Sequence, residues 1–205
     1  FLNKSFNNVV IDGIELNTTI FEKIRDIDFN SPNTNQVNLI NQDFVVYPTV
    51  KKYDLIVSNP PYVVCDKLII PTDYKSLCIG RINLYCIFII HSLHLLNDNG
   101  IASFIIPSSF INSQYYSLVR NYIKSCCQIV KIIDLNNGFI DTEQPTICLI
   151  LRKGCGSDEC CDYSIKLNNN YILTLNKGQT TEIFNNSTTL SKLGLSVKTG
   201  NIVWN

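Results

Sequence analysis

Asp54-Leu55-Ile56-Val57-Ser58-Asn59-Pro60-Pro61-Tyr62 decides the fold, because an apolar strand runs directly into a stiff polar turn. Two consecutive prolines remove two backbone donors and bias Asn59 and Pro60 toward extended conformations, so the strand must stop there. The Pro60 carbonyl keeps its capacity to accept a hydrogen bond. A carboxamide oxygen (Asn59), a fixed carbonyl (Pro60) and an aromatic face (Tyr62) then stand together at the C-terminal end of a strand, where open α/β sheets place their ligands. That set suits a flat group carrying an NH2. A bare Pro-Pro turn would carry no such meaning; Asn before it and Tyr after it supply the chemistry.

Working outward, residues 9–14 form a β-branched apolar run that ends on Glu15, and Asn17 or Thr18 can cap the helix that follows to about Asp26. Residues 37–40 read as a short strand leading to Asn41-Gln42-Asp43-Phe44, and residues 1–8 as the tail of a short helix. Beyond Tyr62, residues 63–81 are a long irregular connection of the length usual for functional loops. Residues 83–96 have helical spacing, with Leu84, Phe88, His91 and Leu95 on one face, and Asn97-Asp98-Asn99-Gly100 reads as a C-cap. Residues 101–106 are a buried strand, and residues 113–124 an amphipathic helix with Tyr116, Val119, Tyr122 and Ile123 apolar. Two strands, residues 129–135 and 145–152, follow without a helix between them. This order predicts an α/β fold, a mostly parallel sheet ending in an antiparallel strand. After Lys153 the texture changes to Asn, Thr and Ser with short strands.

Composition narrows the function classes. Hydrophobic residues make up 45% and charged residues 17% of the 205, which indicates a folded globular chain with room for a core. Seventeen basic and seventeen acidic side chains balance, so no whole-chain basic field attracts nucleic acid, and the scattered basic groups read as solvated surface. Nine cysteines are an odd count, and Cys86 and Cys148 sit in apolar segments. They read as reduced core thiols of an intracellular protein. Cys155, Cys160 and Cys161 lack a fourth zinc ligand, so no metal is expected. No apolar run reaches transmembrane length, and no membrane partner is expected.

The order of features resembles the γ class of S-adenosyl-L-methionine-dependent N6-adenine DNA methyltransferases, in particular the catalytic domain of type IIG and related type II restriction-modification enzymes. The resemblance is carried by Gly13-Ile-Glu15-Leu, Asn41-Gln-Asp43-Phe44, residues 53–62 with Asn-Pro-Pro-Tyr, Gly80-Arg-Ile-Asn-Leu-Tyr85, residues 100–108 and residues 138–153. It implies a Rossmann-like methyltransferase sheet and S-adenosyl-L-methionine as cofactor. By resemblance Glu15 bonds the ribose hydroxyls of that cofactor, Asp43 accepts from its adenine N6, and Phe44 supplies a backbone N–H and an apolar wall. Each has a plain alternative: a solvent-facing acid that closes a strand, or a turn Asp before a core Phe. Asn59 and Pro60 accept the two N–H groups of the target amine, with Asn59 also beside the cofactor, and Tyr62 stacks on a flipped base. Phe139 packs on the other face of that base or serves as a core residue. Asn83 is an N-cap on the bland reading, and His91 and His94 are packed core histidines.

The resemblance also has gaps. The Gly-rich turn after the family's first strand is not found, so that strand and its loop are expected to be missing, and the end resembles the opening of a target-recognition region. The expected organisation is a partial methyltransferase domain over residues 1–153, then connecting hairpin and loops over residues 154–205. Expected partners are double-stranded DNA with the adenine flipped out, an N-terminal segment, and a recognition domain or subunit. The expected activity is site-specific adenine N6-methylation, with little turnover by these residues alone. The alternatives are methylation of protein glutamine or RNA adenine, or a non-catalytic subunit.

Overall fold

The computed structural model describes residues 8–27, 36–47, 50–66, 68, 70–135, 144–154, 163–167, 169–176, 188 and 190–196. The deciding stretch forms strand β3 (Tyr53–Ser58), which stops where the prolines begin. Before it come β1 (Val10–Glu15), helix α1 (Thr18–Arg25) and β2 (Gln36–Asn41). After it come α2 (Leu84–Leu95), β4 (Leu96–Pro107), α3 (Ser117–Cys126), β5 (Cys127–Asp134), β6 (Thr146–Lys153) and the hairpin of β7 (Ser164–Leu167) and β8 (Asn170–Leu173). Asn17 caps α1, its side chain accepting from the Ile20 N–H.

Three ladders result. β1 and β2 pair in parallel, with Glu15 opposite Asn41. β3 pairs in parallel with β4, and β6 lies antiparallel between β4 and β5, giving the order β3-β4-β6-β5. The antiparallel last strand is as expected from two strands without a crossover helix. β7 and β8 form the third ladder. The core lies around β4 and β6, where Ala102, Phe104, Ile106, Ile147, Leu149 and Leu151 are fully buried. This alternation is the period of a sheet face against a helical layer.

Three expectations about helices need correction. Leu84, Phe88 and His91 face the less buried side of α2, whereas Tyr85, Cys86, Ile87, Ile89, Ile90, Leu93 and Leu95 are buried. An almost wholly apolar helix has no stripe, so spacing could not choose its inner face. The segment Asn97–Gly100 is not a helix cap: β4 begins at Leu96, and these residues make an irregularity inside the strand, between the pairs Tyr53–Leu96 and Leu55–Ile101. Asn99 takes φ 64° there, and a Cβ on Gly100 would lie 2.9 Å from the Asn97 carbonyl and 3.1 Å from that of Tyr53. Residues 108–111 and 114–116 form 3-10 turns, so α3 starts only at Ser117.

Buried polar groups join the layers. Arg120 is 2% exposed and donates from Nε to the Tyr171 carbonyl (2.6 Å) and from Nη1 to the carbonyls of Phe110 (2.9 Å) and Ser113 (2.8 Å). Asn121 of α3 accepts from the Tyr171 N–H and donates to the Asn169 carbonyl. These bonds fasten the β7–β8 hairpin to α3, and Leu173 enters the common core. Arg120 is thus an exception to the expectation that basic residues are solvated surface.

β1 and β3 are not hydrogen bonded to each other; side chains span from one to the other. Asp12 of β1, with its side chain 5% exposed, accepts from Lys51 Nζ (2.8 Å), Tyr53 Oη (2.7 Å) and Asn38 Nδ2 (2.8 Å). Burial disfavours its charge, but the bonds from Asn38, Lys51 and Tyr53 outweigh that and hold the carboxyl below its ordinary range. The unfolded chain therefore takes up this proton before the folded one. The resulting stability is present at neutral pH and lost as pH falls through the folded Asp12 value. Asp12→Asn should cost about 1–3 kcal/mol at pH 7, the value of hydrogen bonds to a charged group. Urea titrations of both proteins should show the gap narrowing as pH is lowered through the acid range.

Candidate active site

The turn at the end of β3 brings its residues together as the sequence implied. Asn59 is exposed at the strand end, Pro60 is buried beneath it, and Tyr62 is half-buried. The Pro60 carbonyl accepts no hydrogen bond from a described residue. The chain after Tyr62 is held against the start of α2: the Cys65 N–H donates to the Ile82 carbonyl and the Leu84 N–H to that of Val63, both at 2.8 Å. Residues 66–81 therefore form a loop with a closed stem, which keeps the motif at a fixed angle to the helix. Asn83 is the N-cap of α2, its Oδ1 facing the Tyr85 N–H at 3.5 Å, in agreement with its plain reading.

Tyr62 does more than offer a face. Its hydroxyl lies 2.9 Å from the Ile105 carbonyl of β4 and 3.2 Å from Asn59 Oδ1. A phenol has one proton, and the shorter contact to Ile105 takes it. Amide oxygen and nitrogen are distinguished by their partners. The assignment that satisfies all three groups turns the Asn59 amide so that Nδ2 donates to Tyr62 Oη. Oδ1 then faces away from Tyr62. The sequence reading missed this role for the hydroxyl, because nothing in Asn-Pro-Pro-Tyr indicates a contact to β4. Beneath Tyr62 lies an aromatic cluster: Tyr85 meets it edge-on at 6.1 Å and contacts Phe110 and Tyr116 at 6.0 and 5.4 Å. Burial raises the Tyr62 hydroxyl above its ordinary value, so it remains a donor at neutral pH.

Glu15 closes β1, and its Oε1 accepts from the Asn17 N–H at 2.7 Å, which is the plain reading of a strand-closing acid. Its other oxygen accepts nothing from a described residue, so a carboxylate face is left for a donor pair. Asp43 does not end a strand as expected. β2 stops at Asn41, and Asp43 caps a 3-10 turn (Phe44–Val46), its Oδ1 accepting from the Val45 N–H at 2.9 Å. Phe44 is half-buried on that turn and rests on α2, with Phe88 and His91 each at 4.9 Å. The sequence assigned no role to this support. Phe139 lies outside the described residues, as do Cys155, Cys160 and Cys161. Among the described residues, no group of His, Cys, Asp and Glu could hold a metal ion.

The two histidines differ from each other. His91 is half-buried, with Nδ1 2.9 Å from the Tyr74 hydroxyl. His94 is exposed rather than packed in the core, and stacks between Tyr74 (5.3 Å) and Tyr122 (6.2 Å). No helix among the described residues is long and apolar enough to cross a membrane.

Strand ends bearing Glu15, the Asp43–Phe44 turn and Asn59-Pro60-Pro61-Tyr62, with an antiparallel β6 between β4 and β5, define the class I S-adenosylmethionine-dependent methyltransferase fold. A solved structure of a putative class I S-adenosylmethionine-dependent methyltransferase from Listeria monocytogenes shares it, with TM-score 0.58 and 19% identity over 85% of this chain and 53% of that one. The chain belongs to the Eco57I restriction-modification methylase family, whose profile matches residues 4–140. It is 34% identical over 171 residues to the type II methyltransferase M.AccI of Acinetobacter calcoaceticus, covering 78% of this chain and 30% of that protein. It is 33% identical over 151 residues to the modification methylase CviBIII of Paramecium bursaria Chlorella virus NC1A, covering 68% of this chain and 38% of that protein. The chain thus spans about a third of the length of these curated relatives.

The plain reading of Asn83 has a direct check. Asn83→Ala should lower stability by about 0.5–1 kcal/mol through loss of the cap. Chemical denaturation measures that loss, and the helix content of the folded protein should stay unchanged by circular dichroism.

Proposed function

We propose that these residues are the catalytic part of a restriction-modification DNA methyltransferase acting on the exocyclic N6 of an adenine turned out of the duplex. The observation that carries this reading is the Asn59–Pro60–Tyr62 turn at the end of β3, whose Tyr62 hydroxyl is anchored on the Ile105 carbonyl and contacts the Asn59 amide. Family membership supports the methylation of DNA.

S-adenosyl-L-methionine, when bound, supplies an electrophilic methyl group. The described residues fit its adenosine half. Glu15 keeps a carboxylate oxygen that would take the vicinal hydroxyls, Asp43 would accept from the adenine amine with its second oxygen, and Phe44, backed by Phe88, would provide the apolar wall. At the target, the lone pair of an adenine amine is delocalised into the ring and is a poor nucleophile. Asn59 Oδ1 and the Pro60 carbonyl would each take one N–H, which favours a pyramidal nitrogen with its lone pair free to react. Positive charge then develops beside dipoles already in place, so no strong base is needed. The surplus proton leaves the nitrogen to water. In-line placement of amine and methyl contributes the rest. Tyr62, with Phe139 as its expected counterpart, packs against the flipped base.

The methionyl half has no comparable support, since no glycine-rich turn follows a strand among the described residues. We assign that part to a further polypeptide segment entering as a strand between β1 and β3. Three features support the assignment: β1 and β3 are each laddered on one side, only side chains bridge them, and Leu55 and Val57 of β3 are 41% and 61% exposed. Parallel strands are ordinarily covered, and an apolar open edge is a template for pairing. Recognition of the DNA sequence is assigned to polypeptide beyond these residues as well.

Methyl transfer to duplex DNA should be weak for the 205 residues alone and rise when a segment carrying such a strand and loop is added. Robust turnover by the isolated chain would sink that part. In the complete enzyme Asn59→Ala should lower kcat by at least about 100-fold. Mass spectrometry of nucleosides from co-expressed DNA should show N6-methyladenine that depends on Asn59. Methylated glutamine or RNA adenine in its place would overturn the choice of DNA. Tyr62→Phe should lower kcat roughly three- to tenfold through the lost hydroxyl, with the KM for DNA little changed. Tyr62→Ala should also raise that KM, because stacking contributes on the order of 1–3 kcal/mol per base.

A further inference from the structure

His91 has no assigned part in the reaction, yet with Phe88 it is one of two α2 rings on which Phe44 leans. Its ring meets Phe44 edge-on at 86° with centroids 4.9 Å apart. On its other side Nδ1 is 2.9 Å from the hydroxyl of Tyr74, which is 8% exposed and lies in the 3-10 turn (Thr72–Leu77) of the loop after the motif. Burial raises the Tyr74 hydroxyl above its ordinary value, so it keeps its proton, and an unprotonated imidazole nitrogen is the stronger acceptor of the pair; the hydroxyl is therefore assigned as donor to Nδ1. The proton of a neutral imidazole then sits on Nε2. Nε2 is buried and makes no hydrogen bond of good geometry, with the Tyr47 backbone close enough to favour a proton there. One ring thus joins the loop after the motif to the turn that carries the cofactor wall.

We propose that His91, neutral and with its proton on Nε2, is the positioning residue for Phe44 and so sets the affinity of the cofactor pocket; the inference rests on the reading of Phe44 as the cofactor's adenine wall. The chemistry follows from the donors and acceptors. A second proton on Nδ1 would face the Tyr74 hydroxyl with another donor and force that buried phenol to find a new acceptor. The groups around His91 act in both directions. Burial, aided by His94 one turn later on α2, pulls His91 below the ordinary histidine range, and the Tyr47 backbone and Asp43 oppose this. His94, itself lowered by burial and by Lys153 and Lys52 and raised by Asp73, is exposed and does not meet Phe44. The folded state therefore binds this proton less readily than the unfolded chain, and acidification from about pH 6.5 downward acts against the packed arrangement.

The chain has two histidines, so His94→Gln assigns both imidazole signals by nuclear magnetic resonance. The probe is S-adenosylhomocysteine, with the completing segment supplied. Its Kd for the wild type should rise at least about twofold between pH 7.5 and 5.5, and by reciprocity saturation with the probe should lower the His91 titration by at least the logarithm of the observed factor. His91→Gln keeps an acceptor for Tyr74 and cannot charge. It should bind like the wild type at pH 7.5 and show a flat profile, whereas His91→Ala should bind more weakly at every pH. Identical pH profiles for wild type and His91→Gln, or a His91 titration unmoved by the probe, would overturn the proposal. Should His91→Ala fail to fold, the wild-type titration still decides. Tight binding that Phe44→Ala leaves intact would instead overturn the reading of Phe44, and this proposal with it.

Discussion

The relation between the two parallel strand pairs, β1–β2 and β3–β4, depends on the Asp12 carboxylate. β1 with β2 carries Glu15 and leads to the Asp43–Phe44 turn, while β3 with β4 carries Asn59, Pro60 and the Ile105 carbonyl that holds Tyr62. No backbone ladder among the described residues joins the two halves, so the Lys51 and Tyr53 donors on one carboxylate, which Asn38 of β2 also holds, carry much of the register between them. Tyr53 and Asp12 are mutually dependent. Burial and the adjacent carboxylate push the Tyr53 hydroxyl well above its ordinary value, so its proton stays in place across the physiological range. Lys51 is about half exposed, and solvent screening makes it the weaker partner. A polar joint of this kind is directional where an apolar contact is not, and directionality is what a site assembled from separate strand ends requires.

Much of this was legible in the sequence. The bounds of β3 follow from β-branched and apolar residues ahead of two prolines, and the start of α1 from a single capping residue, Asn17. The antiparallel β6 followed from two successive strands with no helix between them. Other features were hidden for physical reasons. α2 is apolar on every side, so its inner face was set by tertiary packing. Asn97–Gly100 has the composition of a turn and is used as a bulge within a strand, where Asn97 also donates to Asp54. Arg120 has the charge of a surface residue, and only three carbonyls brought to it by the fold make it a core residue.

The candidate site divides in the same way. Asn59, Pro60 and Tyr62 are neighbours in sequence, so their chemistry could be read locally. The contacts that orient them are not local: Tyr62 to Ile105 spans 43 positions, and Tyr74 to His91 spans 17. Sequence reading found the residues of the proposed site and missed the groups that hold them still. Precision at this site resides largely in the second set, because an amide turned by half a rotation offers a donor where an acceptor is needed.

The closed stem formed by Val63–Leu84 and Cys65–Ile82 has one more consequence. Since the two ends of the loop are tied together beside the motif, chain added within it outside Thr72–Leu77 does not pull on Asn59 or on the start of α2. Its cost is loop closure, about 0.6 kcal/mol for each doubling of length. The Asn59–Tyr62 turn and the inserted chain can therefore diverge at different rates, and a lineage could exchange the contacts made by the loop while inheriting the turn beneath it unchanged.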